Sequence, residues 1–259
     1  MNSEDFLEFT KAVTARLRPE PSVRGLVALG STAGERAPDP YSDHDLWLVV
    51  ATGAQERFRN DTSWLPEAER QVFAFRETEH GVKVVYDDGH LVELAVFSME
   101  ELAVARANHY LVLIGDEEVA GAVAATADPA RRASPPDPEW LFGQALTHLL
   151  VGVARHRRGE RISAHRFVHG LAVERLVTLV RGLESSAVPE ASDDLDPFRR
   201  FEQMHPERAQ LLHAALGLPL EAAALELLGL LTDVVALGPQ QARAASAVRD
   251  LLAKDRRGC

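Results

Sequence analysis

Strand-patterned segments end at residue 115 of the 259-residue chain, and from residue 137 onward the apolar residues recur at helical spacing. That segregation makes the fold class α+β, with a mixed-sheet domain over residues 1–130 and an all-helical bundle over residues 131–259. Five strands are expected at 25–30, 45–50, 71–77, 82–87 and 91–97, the last two joined by a turn at Asp88 and Gly89, and 109–115 adds an edge strand. Ser3 is placed to cap a helix over 4–17, whose Phe6, Phe9, Val13 and Leu17 face inward before Pro19 ends it. A helical segment over 99–108 is expected ahead of the edge strand. The proline-rich stretch 127–138 reads as the linker. Beyond it Asp137 and Pro138 start a helix striped by Phe142, Leu146, Leu149, Leu150 and Val153. A second helix carries Val168, Leu171, Leu176, Leu179 and Val180, and Pro197, Pro206, Pro219 and Pro239 punctuate the rest.

The surface charge narrows the partners. With 39 acidic and 28 basic residues the formal charge is −11, which opposes a surface built to grip a nucleic-acid backbone and favours a cationic partner. The single cysteine, Cys259, can form no intrachain disulfide. The first residues lack the basic start and apolar run of a secretion signal, and no window is long and apolar enough to span a bilayer. A cytoplasmic protein without membrane contact is the expectation.

The chemistry concentrates in residues 30–50, GSTAGERAPDPYSDHDLWLVV. Gly30 lets a strand end turn sharply, and the N–H groups of the following turn, with the Ser31 hydroxyl, are suited to phosphate oxygens. Asp43 and Asp45 lie two apart at the mouth of a strand, so their side chains point one way, roughly 6.6 Å apart along the chain. Two hard carboxylates facing one way repel unless a cation sits between them, and Mg²⁺ bridging carboxylates and phosphates resolves this. Glu93 is the only charged residue in LVELAVF, and a lone carboxylate on a sheet interior needs a partner or a metal. Beside Asp45 it would complete a triad holding two metal ions about 3.5 to 4 Å apart. As base, ligand or both, it would also serve the attacking hydroxyl. Ser42 and Tyr41 are placed at the pocket, whereas His44 alternates away from the acids and is read as structural. In the bundle, Arg157, Arg158 and Arg166 are either triphosphate contacts or a solvated helix end. Glu174 is either an acceptor anchor or half of an ion pair. The run Asp193 to Asp196 reads as a helix-start loop.

Gly30-Ser31, then Asp43-His44-Asp45, then Glu93 on a later strand resembles the nucleotidyltransferase superfamily that includes DNA polymerase beta. Through YSDHDLWLVV, VKVVYDDGHLVELAVF and a helical half containing RRGERISAHR, the chain is similar to the lincosamide and aminoglycoside nucleotidyltransferases of antibiotic resistance. One departure is that Thr32, Ala33 and Gly34 stand where a basic residue often follows the Gly-Ser pair, with Arg36 only later. The resemblance implies transfer of a nucleoside monophosphate, AMP from ATP or another triphosphate, to a hydroxyl of a small cationic acceptor. It implies Asp43, Asp45 and Glu93 as metal ligands and Gly30, Ser31 and Ser42 at the nucleotide, in a cleft between the two halves. Nucleotidylation of a protein or RNA end, and a catalytically silent nucleotide-binding or antitoxin-like module, are the alternatives.

Overall fold

A computed structural model describes residues 2–34, 38–128, 136–188, 193 and 195–254; Arg36, Asp194 and Cys259 and most of the expected linker lie outside them. The chain divides into two compact units, Met1–Arg132 and Ala133–Cys259.

In the first unit, α1 (Ser3–Leu17) is followed by β1 (Val23–Leu29), β2 (His44–Val50), α2 (Gln55–Asn60), β3 (Gln71–Arg76), β4 (Gly81–Tyr86), β5 (Leu91–Phe97), β6 (Tyr110–Ile114) and α3 (Glu117–Thr126). The six strands form one sheet in the order β3-β4-β5-β2-β1-β6. β2 and β5 run parallel, and the other four pairings are antiparallel. The β4–β5 hairpin turns at Asp88 and Gly89 as expected, with Gly89 at φ +82°.

Burial tells the two faces of the sheet apart. One face carries Leu26, Ala28, Leu46, Leu48, Val50, Val82, Val84, Val92, Leu94 and Val96, and packs on Phe9, Val13 and Leu17 of α1. On the other, Val27, Trp47, Val49 and Phe97 are covered by Leu102, Ala105, Val119 and Val123. β2 is apolar on both sides because it is sandwiched, whereas β4 and β5 alternate, with Val82, Val84, Tyr86, Val92, Leu94 and Val96 inward and Lys83 and Glu93 on the more open face.

Two local expectations are corrected, and two helices stand where none was expected. Asn2 caps α1, its side chain accepting from the Asp5 amide at 2.9 Å, while Ser3 Oγ donates to the Pro38 carbonyl. Residues 99–108 hold only one 3₁₀ turn, Glu101–Val104, because Glu101 turns back to accept from the Ser98 amide and from Arg59. The helices α2 and α3 stand where the apolar pattern was too short or too weak to announce them. Buried Arg59 ties α2 to β5 by donating twice to the Val96 carbonyl.

Among the described residues of the second unit every regular element is a helix: α4 (Pro138–Arg157), α5 (Arg161–His165) running through a π-helical stretch (Arg166–Ala172) into α6 (Val173–Leu183), then α7 (Phe201–Met204), α8 (Pro206–Leu216), α9 (Leu220–Val234) and α10 (Pro239–Ala253). Asp137 caps α4, accepting from the Trp140 amide at 3.1 Å, with Pro138 in the first turn. Leu220, Ala223, Ala224, Leu227, Leu228, Leu230 and Leu231 make α9 a core helix. α4 meets the π-helical stretch closely, since a Cβ on Gly152 would lie 2.5 Å from Val168 Cγ2. Val168 is fully buried and β-branched, so it has no rotamer into which to retreat. Gly152→Val is expected to lower unfolding free energy by about 2 kcal/mol or more through overpacking. Urea titration would measure it, and an unchanged midpoint would mean that the helices part without cost.

Candidate active site

Gly30 follows β1 with φ +52°, a left-handed conformation natural to glycine, and Gly30–Ala33 form a 3₁₀ turn closed by Gly34 at φ +87°. The turn is sewn to the start of β2 by Thr32, which is buried. Its hydroxyl donates to the Asp43 carbonyl at 3.5 Å and accepts from the Asp45 amide at 3.1 Å. Ser31 Oγ also donates to the Asp43 carbonyl, at 3.4 Å. Nothing in the sequence marks Thr32, although a hydroxyl in that turn is the group that can reach the strand mouth. Ser42 closes a turn of its own, accepting from the Asp39 amide at 2.9 Å and donating to Asp39 Oδ1 at 3.2 Å. Tyr41 is 94% exposed.

Strand register then sets a row across the sheet. Leu29 pairs with Asp45, Asp45 with Glu93, Glu93 with Lys83 and Lys83 with Phe75. Paired residues share a face, so the carboxylates of Asp45 and Glu93 are direct neighbours. Glu93 is not alone: Lys83 Nζ donates to its Oε1 at 2.8 Å and to Glu77 Oε1 at 2.9 Å. The two carboxylates, Glu93 foremost, hold the Lys83 ammonium above the ordinary lysine range. Leu29, Asp45, Trp47, Glu77, Thr78 and Glu93 line a recess of about 210 Å³ on this face. Among the described residues no three His, Cys, Asp or Glu side chains gather into a group able to hold a metal ion, so Asp43 does not join the other two in a closed cluster.

Behind the row, His44 is fully buried and stacks on Phe6 at 3.6 Å between ring centroids. Its Nε2 lies 3.1 Å from the Phe6 carbonyl, which can only accept, so that nitrogen carries the proton; Nδ1 then accepts from His90 Nε2 at 2.7 Å. Burial, and secondarily His90, pushes the His44 pKa down from 6.5 to about 3.

The acids of the β4–β5 hairpin and most of the charged candidates in the helical unit lie in ion pairs. Asp87 and Asp88 are held by Arg70 at 2.8 and 3.1 Å. In the helical unit Arg157 grips Glu221 with two nitrogens and donates to the Leu251 and Leu252 carbonyls, which makes it a clamp on α9 and α10. Arg158 pairs with Glu160 at 2.9 Å, Glu174 pairs with Arg175 at 2.6 Å, and Arg166 is exposed.

The sequence matches no protein-family model and no curated protein. The chain is similar to several solved structures. One is an aminoglycoside 6-adenyltransferase from Bacillus subtilis, 11% identical, covering 96% of this chain and 91% of that one at a TM-score of 0.36. Another is a nucleotidyltransferase-like protein from Exiguobacterium sibiricum, 13% identical, covering 93% and 77% at 0.33. A third is E. coli CdnC, solved in complex with HORMA-deltaN, 15% identical, covering 89% and 90% at 0.32. No described helix is long and apolar enough to cross a membrane.

The buried histidine gives the acid side of the stability curve its sign. Between pH 6.5 and about 3 the unfolded chain takes up a proton at residue 44 that the folded chain refuses, so stability is full above this window and falls as pH drops through it. The slope from this one group is at most about 1.4 kcal/mol per pH unit. Denaturant titrations from pH 7 to 4 are expected to be steeper for the parent than for His44→Gln; equal slopes would place the acid sensitivity elsewhere.

Proposed function

We propose that the chain is a Mg²⁺-dependent nucleotidyltransferase that moves a nucleoside monophosphate, AMP from ATP in the first instance, to a hydroxyl of a small cationic acceptor such as a lincosamide or an aminoglycoside. The observation that carries this reading is the row itself: Asp45 and Glu93 side by side on parallel strands, with Asp43 tied by Thr32 and Ser31 to the glycine turn. Carboxylate oxygens are the donors Mg²⁺ takes, so the neighbours Asp45 and Glu93, joined by Asp43 once its side chain closes on them, would hold it, as two ions in the full form. When bound, the metal would neutralise the pyrophosphate leaving group and lower the pKa of the attacking hydroxyl.

Each residue then has a defined task in this reading. Gly30 gives the triphosphate close access to backbone N–H groups of the turn, with Ser31 and Ser42 as hydroxyl contacts. The acceptor oxygen bonds to the α-phosphorus as the bond to pyrophosphate breaks, and its proton leaves to a carboxylate of the row. Lys83 occupies one oxygen of Glu93 and leaves the second for the reaction centre, which favours Glu93 as a ligand over Glu93 as the base. The helical unit is the acceptor-binding part, and the acidic surface suits a cationic acceptor.

Purified protein incubated with each nucleoside triphosphate, Mg²⁺ and a panel of lincosamides and aminoglycosides should yield a nucleotidyl mass increment on one acceptor, with release of pyrophosphate. Asp43→Asn and Asp45→Asn should abolish that turnover with unchanged melting temperature. Full activity in both would sink the metal site. Glu93→Gln separates the remaining roles: as a ligand its loss weakens Mg²⁺-nucleotide binding together with a fall in kcat of about 10²-fold or more, whereas a base would lose rate alone.

A further inference from the structure

β3 lies at the end of the sheet and contributes to neither core of its unit. Residues 72–76 are exposed along both faces of the strand, with Val72 62%, Phe73 58% and Phe75 41% exposed. The two phenylalanine rings stack on each other at 5.3 Å. A strand edge carrying three large apolar side chains is a template for another strand unless charge, a bulge or a covering group blunts it. The opposite edge is treated otherwise, since Arg18 reaches across to the Leu113 carbonyl of β6 and the β6 residues other than Leu111 are half-buried. On β3 the only charge is Arg76, and both its terminal nitrogens are spent on Glu56 at 2.6 and 2.9 Å.

We propose that β3 pairs antiparallel with β3 of a second copy of this chain, with Ala74 opposite its own twin on a two-fold axis. The strand is self-complementary in that register. Phe73 faces Phe75 of the other copy and Phe75 faces Phe73, so four rings close into one cluster on the face that bears Lys83 and Glu93. The register of β3 on β4 shifts between Gln71 and Phe73, so the regular seam is the stretch from Phe73 to Phe75, with Val72, at that irregularity, opposite Arg76 on the reverse face, and no like charges meet across it. For a chain with a formal charge of −11, this strand, which carries no carboxylate and only the paired cation Arg76, is a surface on which a like-charged copy can approach without a direct clash of carboxylates. The pairing satisfies the outward backbone groups of β3 and removes the phenylalanines from water.

The register is tested by cross-linking. Opposite residues in an antiparallel pair have Cα atoms about 4.5 to 5.5 Å apart, within disulfide reach. Val72 and its twin would be about 14 Å apart along the strands. In a Cys259→Ser background, Ala74→Cys should oxidise to a covalent dimer and Val72→Cys should not. Sedimentation between about 1 and 100 µM, the range of weak to moderate association, should show the parent shifting from monomer to dimer. Ala74→Lys, which places two ammonium groups face to face at an exposed position, should stay monomeric with unchanged melting temperature. A parent that is monomeric throughout, an Ala74→Lys variant that still dimerises, or a Val72→Cys variant that cross-links as readily as Ala74→Cys would overturn the proposal.

Discussion

The parallel pairing of β2 with β5 is the constraint on which the rest of the first unit depends. It places Asp45 opposite Glu93 in a sheet whose reverse face is closed by α1. Neighbouring carboxylates repel, and in a half-buried setting water screens that repulsion incompletely. The fold offsets it with the Lys83 ammonium, one strand further along the row, and with the rigidity of a strand whose neighbours on both sides are hydrogen-bonded to it. The reverse side of β2 shows the same economy, because His44 is kept neutral between Phe6, Thr10 and His90 and brings no charge close behind the acids.

Much of this was legible in the sequence because strand periodicity is strict. VKVVYD and LVELAVF alternate, a turn of Asp88 and Gly89 separates them, and the bounds of β4 and β5 follow to within a residue. The short helices were not legible. α2 is six residues long and rests on Arg59, a buried cation satisfied by a carbonyl and two carboxylates, which no hydrophobic pattern announces. The exchange of Ser3 for Asn2 as cap is a choice between two adjacent residues of similar capping ability, decided by a tertiary contact with Pro38.

At the candidate site, the residues came from the sequence but their partners did not. Glu93 reads as solitary within its own strand. Its counter-ion sits across the hairpin, and a hairpin folded about residue 88 pairs 83 with 93, so the information lay in the turn rather than in the strand. Thr32 is silent in the sequence for a different reason: a threonine in a loop is ordinary, and only the tertiary approach of the turn to β2 shows that its hydroxyl serves a carbonyl and an amide at once.

That doubly used hydroxyl couples two pieces of backbone that would otherwise relax independently. Opening the turn at Gly30–Ala33 strips the Asp45 amide of a hydrogen-bond partner, and fraying the mouth of β2 releases the turn. The two therefore share one opening free energy, and the exchange rate of a single main-chain proton, that of Asp45, reports how rigid the glycine turn is.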